Sequence, residues 1–148
     1  MRYLISIVLV ALSINANAAD VMVVDAYVRA TPPGAMNSAA FMTLHNHSAS
    51  EKALVSAETT AAKVVELHNH VNENGVMKMR QVAGGIKLPA HGMVTLQPGG
   101  LHVMLMGLAQ DLKEGNAITL TLHFDDGSSQ GLTVPVKNTV KPMQMHHH

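Results

Sequence analysis

Read along the chain, apolar positions fall mostly into short runs with a period of two, the period of a half-buried β-strand. The spacing predicts strands over Val21–Ala30, Ala39–His47, Ala53–Ala57, Val64–Val71, Gly75–Val82, Gly85–Leu88, Met93–Gln97, Leu101–Leu108, Ala117–Phe124 and Gln130–Val136. In Val64–Val71, Val65, Leu67 and Val71 fall on one face, and Glu66, His68 and His70 on the other. Leu101–Leu108 is a near-continuous apolar run. Turn-forming residues separate these runs: Thr31-Pro32-Pro33-Gly34, Asn72–Gly75, Pro89–Gly92, Pro98-Gly99-Gly100 and Asp125-Asp126-Gly127. The last of these reads as the turn of a hairpin. Only Leu108–Glu114 has room for a helical turn. Strands at roughly ten-residue spacing imply an all-β sandwich or barrel in a single domain.

Both ends depart from this pattern. Met1 and Arg2 give a positive start, Tyr3–Ile14 is apolar, and Ala16-Asn17-Ala18 is a small-x-small cleavage site. Residues 1–18 read as a secretory signal peptide, because the apolar run falls short of the ~20 residues that span a bilayer. No cysteine follows that run, so a lipid anchor is not expected. The domain is expected over 19–136, and 137–148 reads as a flexible tail rich in Met and His, either natural or in part the remnant of a purification tag. The tail ends Met143-Gln144-Met145-His146-His147-His148, so Met143, Met145 and His146, His147 and His148 are candidate secondary metal ligands. A mature chain of this kind would be soluble and exported, without membrane insertion; in a Gram-negative bacterium that means the periplasm.

Composition narrows the chemistry. Of 148 residues 47% are apolar and 14% charged, enough apolar material for one core. Ten basic residues balance ten acidic ones, which argues against nucleic acid as a partner, since phosphate binding needs a basic footprint. There is no cysteine, which removes disulfides, thiolate zinc sites, iron–sulfur clusters, blue-copper ligation and thiol catalysis together. No serine stands in a nucleophile–base arrangement, so the expectation is a protein that is not an enzyme. Against these absences stand eleven Met and ten His.

Three of the expected strands carry these residues in pairs at i and i+2: His68 and His70, Met77 and Met79, His102 and Met104. Period two puts each pair on one face, with roots roughly 7 Å apart. Thioethers are neutral and soft, and with imidazole they favour Cu(I) over Zn²⁺, Mg²⁺ or Ca²⁺. Met22, Met42 and Met106 read more simply as core filler. His45, His47, His91 and His123 have no Met partner at a matching spacing and read as solvated.

The pattern His68, ten residues, Met79, and then His102-Val103-Met104 resembles the motif of the periplasmic copper chaperones called PCu(A)C. The context matches as well, in Gly75–Arg80, Leu88-Pro89-Ala90 and Leu96–Leu108, and further back in Ala30–Ala35 and Phe41–Asn46. The likeness covers about residues 21–136. Twenty-two residues separate Met79 from His102, one more than in the usual motif. The resemblance implies a cupredoxin-like, Greek-key β-sandwich that holds one Cu(I) through His68, Met79, His102 and Met104, in an exposed site at one end of the sandwich. It implies delivery to the Cu(A) or a related copper site of a respiratory haem–copper oxidase, with an oxidase subunit or a Sco-type protein as partner and the carrier a monomer. A Met/His tail in such proteins implies extra copper, Cu(II) included. Copper buffering or resistance without a dedicated acceptor needs the same site and is the alternative.

Overall fold

The computed structural model describes residues 20–139. The expected signal peptide and the candidate ligands Met143, Met145 and His146–His148 lie outside these residues. Ten strands form: β1 (Val21–Arg29), β2 (Asn37–Asn46), β3 (Lys52–Glu58), β4 (Ala62–Glu73), β5 (Val76–Gln81), β6 (Ile86–Leu88), β7 (Met93–Leu96), β8 (His102–Leu108), β9 (Ala117–Phe124) and β10 (Ser129–Lys137). They hydrogen-bond in the order β5-β4-β8-β2-β1-β10-β9-β3-β6, with β7 on β2. The pairings are antiparallel except at β1–β10, where Val28 and Arg29 run parallel to Val136 and Lys137. β10 thus reaches Lys137, one residue into the stretch expected to be tail.

The path folds over at this parallel join. The β5-β4-β8-β2-β1 layer faces the β10-β9-β3-β6 layer, and both contribute to one core. Ile118, Leu120, Leu122 and Phe124 of β9 point inward against Leu44 of β2, Val103 and Leu105 of β8, and Val134 of β10 within that core. The chain passes between layers at β2–β3, β3–β4, β5–β6, β6–β7 and β8–β9, the crossing pattern of a Greek-key sandwich.

Three local features set what the outer face of the β4-β8-β2-β1 sheet presents. First, a bulge in β1 at Asp25, with φ of 55°, shifts the register between Val24 and Tyr27. An added residue reverses side-chain parity. Val21 and Val23 face inward before the bulge and Val28 after it, so Tyr27 and Arg29 emerge on the outer face beside Phe41. Second, β7 and β8 run end to end along one edge of β2, opposite residues 42–45 and 37–40. A turn between them, Gln97–Gly100, has Gly100 donating to the Gln97 carbonyl and Gly99 at φ 83°. Pro followed by a left-handed Gly is the requirement of a type II turn. Third, β4 outruns β8: its last pair with β8 is His68 with His102, and from Asn69 to Glu73 it pairs only with β5. That hairpin closes through Asn74 and Gly75, both at positive φ, as a two-residue type I′ turn demands.

The helical turn expected over Leu108–Glu114 does not form. Leu108 ends β8, and the following segment is a loop tied to the Thr31–Gly34 loop. Thr31 donates to the Leu112 carbonyl at 2.9 Å, Leu112 to the Thr31 hydroxyl at 3.3 Å and Gly34 to the Asp111 carboxylate at 3.1 Å. Leu112 is drawn into the core, and these cross-loop bonds take the place of a helical ladder. Elsewhere, buried Asn46 donates through its side-chain amide to the carbonyls of Ser50, Leu88 and Pro89 at 2.9, 3.0 and 3.2 Å. Its carbonyl accepts from Ser48, fixing the β2–β3 loop against the end of β6.

Candidate metal centre

Directly opposed residues of an antiparallel ladder share a face. His68 opposes His102, Glu66 opposes Met104 and Ala39 opposes Met104 from the other side. His70 opposes Met79 across the β4–β5 hairpin. Since Leu67, Val103 and Leu105 fill the core, His68, His70, Met79, His102 and Met104 all lie on the outer face. The site is therefore on the face of one sheet, at the foot of the projecting β4–β5 hairpin, rather than at an end of the sandwich. The cause is the early start of β8, which leaves the hairpin standing clear beside His102.

A cavity of 280 Å³ opens here. Met79, His70, His102 and Met104 line it on one side, and the 30–35 loop, Arg29, Phe41, Pro98 and Gly99 on the other. His68 stands behind His102, with ring centroids 5.8 Å apart, and His70 lies 5.4 Å from His102. Two imidazoles bound to one ion at about 2 Å place their centroids roughly 5–6.4 Å apart, depending on the bond angle. Both pairs fall in that interval. His70 is thus a neighbour of His102 on the cavity side, as His68 is on the other. Met77 shares the face, opposite Asn72, but is exposed and does not line the cavity.

The imidazole protons are assigned by their partners. His102 is only 2% exposed. Its Nδ1 lies 3.0 Å from the Gly100 carbonyl, which can only accept, so Nδ1 carries the proton. Nε2 is buried and has no hydrogen-bond partner among the described residues. Burial pushes the His102 pKa below its ordinary 6.5, with His70, His68 and Arg29 acting in the same sense against the Gly100 hydrogen bond. A neutral ring with a bare Nε2 is a ligand in waiting. His68 is held in the opposite tautomer: Nε2 donates to the Glu66 carboxylate at 2.7 Å, and the buried Nδ1 has no partner. A carboxylate or carbonyl on the far nitrogen is the usual support of a metal-binding histidine.

Two orphaned imidazole nitrogens would each cost free energy in a purely structural role. No set of three or more His, Asp and Glu converges as an ion site among the described residues. The other soft donors lining the cavity beside these imidazoles are the sulfurs of Met79 and Met104. Imidazole and thioether together suit a soft monovalent ion. Phe41, whose ring centre is 6.2 Å from that of His102, walls the site, and the Arg29 guanidinium lies over the Phe41 ring, 5.1 Å from its centre. Neither residue was legible from spacing.

The remaining candidates separate. Met42 is core, as read. Met22 is not: it points outward and is half exposed. His123 pairs with Glu58 at 3.1 Å, and His91 occupies a left-handed turn position at φ 53°. His45 and His47 pack against each other with tilted rings, centroids 4.0 Å apart.

Residues 21–136 match the model of the LpqE-like family. A protein with a lipoprotein name, Lxx21020 of Leifsonia xyli subsp. xyli, is 39% identical over 118 residues, spanning 80% of this chain and 70% of its own. The solution structure of DR1885 from Deinococcus radiodurans in its CuI form is 37% identical, with a TM-score of 0.67 over 85% of each chain. The apo PCuAC domain from PmoF1 has a TM-score of 0.68 at 20% identity, over 80% of this chain and 94% of that one, a likeness of fold.

Proposed function

This chain belongs to the LpqE-like family, and from that premise we propose that it is an exported carrier of Cu(I) which hands the ion to a copper site of a respiratory haem–copper oxidase. The cargo is held by Nδ1 of His68, Nε2 of His102 and the sulfurs of Met79 and Met104. One observation carries this reading. Two neighbouring imidazoles, His68 and His102, each hold a buried nitrogen with no hydrogen-bond partner among the described residues and a second nitrogen bonded to a supporting acceptor, on a sheet face that also carries two thioethers. The CuI form of DR1885, at 37% identity, supports copper as the ion.

Retention and release follow from where the ligands sit. His102 and Met104 are anchored in β8 between two strands, while Met79 is 42% exposed on edge strand β5. An acceptor approaching from the hairpin displaces Met79 first, and the ion leaves by ligand exchange rather than through an unliganded state. Thioethers bind Cu(I) more weakly than thiolates, so a cysteine-bearing acceptor such as an oxidase subunit or a Sco-type protein draws the ion off. Lys78 and Arg80 on edge strand β5 oppose pairing between copies, which suits a carrier that acts as a monomer. Export to the periplasm draws on the apolar run Tyr3–Ile14 followed by Ala16-Asn17-Ala18. The tail residues Met143, Met145 and His146–His148 favour a second reading, copper buffering, with Cu(II) taken up at the tail. Deleting the gene separates the two. Loss of oxidase activity at limiting copper, restored by added copper, supports delivery; unchanged oxidase activity with greater sensitivity to excess copper overturns delivery in favour of buffering.

A further inference from the structure

The other half of the same sheet face carries soft donors that the carrier site does not use. Met22 of β1 lies directly opposite His45 of β2, and His45 lies directly opposite Met93 of β7. The three side chains form one row across three strands. The row faces outward, because Leu44 and Asn46, on either side of His45, are fully buried. Met22 is 47% exposed and Met93 62% exposed, so neither thioether serves the core. His47, two residues along, packs against His45 with ring centroids 4.0 Å apart and the rings tilted by 43°. Among the described residues, that contact is the one side-chain interaction of either ring. Adjacent strands lie about 4.8 Å apart, so the outer two roots are roughly 10 Å from each other with the imidazole between them. A Met side chain has three rotatable bonds and reaches across that spacing.

We propose that Met22, His45, His47 and Met93 form a second binding site, for a soft monovalent cation of the Cu(I) type. Two thioethers flanking two imidazoles repeat the donor types of the first site and disfavour hard divalent ions for the same reason. The row is distinct from that site. His45 is six residues along β2 from Ala39, the partner of Met104, a separation of roughly 20 Å. No ion is shared, and the two sites fill independently. All four side chains reach solvent directly, so this site takes up and releases its ion without a cavity.

The test is a titration of the full chain, labelled at the methionine methyl carbons, with Cu(I) under a reductant and separately with Ag(I). The Met22 and Met93 methyl resonances and the His45 ring resonances are expected to shift together and to saturate with an equivalent separate from the one that moves Met79 and Met104. The double variant Met22→Leu, Met93→Leu keeps side-chain volume at exposed positions and is expected to bind one ion fewer, with the Met79 and Met104 shifts unchanged. Met22 and Met93 resonances that stay fixed while Met79 and Met104 saturate overturn this proposal and leave the carrier reading standing. Movement of Met22 and Met93 with Met79 and Met104 fixed does the reverse. A row that serves only as an apolar docking patch gives no shift with either ion and overturns the proposal as well.

Discussion

Replacing Glu66 tests how the site is held without touching a proposed ligand. The Glu66 carboxylate accepts from Nε2 of His68 at 2.7 Å, which fixes the tautomer and leaves Nδ1 bare. In Glu66→Ala the ring is free to rotate, and the proton is free to sit on Nδ1, which removes the bare nitrogen from the ligand position. The carboxylate also supplies a negative charge close to the cation. At roughly 6 Å and an effective dielectric near 20, that charge contributes up to about 3 kcal/mol, less after screening, because Glu66 is partly exposed. Removing such a supporting group typically weakens metal affinity by about 10–100-fold, or about 1.4–2.7 kcal/mol. Glu66→Gln keeps an acceptor but loses the charge and is expected near the lower figure. The assay is competition for Cu(I) against a chromophoric chelator under reductant, beside a urea melt to show that the fold is retained. Affinity within twofold of the parent in Glu66→Ala, while His68→Ala still lowers it, would refute the positioning role. Unchanged affinity in both variants would remove His68 from the ligand set.

Other expectations follow from the same geometry. Met104→Leu is close in volume and should cost less than about 1.5 kcal/mol of stability while weakening Cu(I) binding more than tenfold; retained affinity would reject the sulfur as a ligand. The pKa of His102 is lowered in the folded chain by burial, so above its ordinary 6.5 both folded and unfolded states leave it neutral. As pH falls below that value the unfolded chain takes up the proton first, and apo stability drops until the folded pKa is reached. Urea midpoints between about pH 7.5 and 5 should therefore fall less steeply in His102→Gln than in the parent; identical slopes would contradict the burial argument. Asn46→Leu leaves the Leu88 and Ser50 carbonyls and the Ser48 donors without their partner, and a loss of about 2–4 kcal/mol is expected on urea unfolding, with a loss below about 1 kcal/mol contradicting it.

What could be read from the chain was what depends on local period and turn chemistry. Alternation in Ala117–Phe124 and the residues at Asn74-Gly75 and Pro98-Gly99 dictate their own conformations, and they stand in the fold as expected. The His102/Met104 pair was legible because a strand places i and i+2 on one face whatever surrounds it. Features that depend on register between distant strands were not. The bulge at Asp25 turns Tyr27 and Arg29 outward, and nothing in the alternation around it announces the reversal. The spacing pairs His70 with His68, but only the register shows it beside Met79 and His102, where β8 begins opposite His68. His45 seemed to lack a Met partner because its partners, Met22 and Met93, come from strands far away in sequence. The absent helical turn has the same origin, since the bonds that hold Leu112 come from Thr31.

The account rests on sulfur and imidazole meeting at one cuprous ion on the β4-β5-β8 face. X-ray absorption at the copper edge of the full chain, loaded with one equivalent of Cu(I) under reductant, reads that shell directly. A mixed sulfur and nitrogen shell, with the sulfur contribution falling in Met104→Leu, is the expected result. A shell of nitrogen and oxygen alone, unchanged by that substitution, would contradict it.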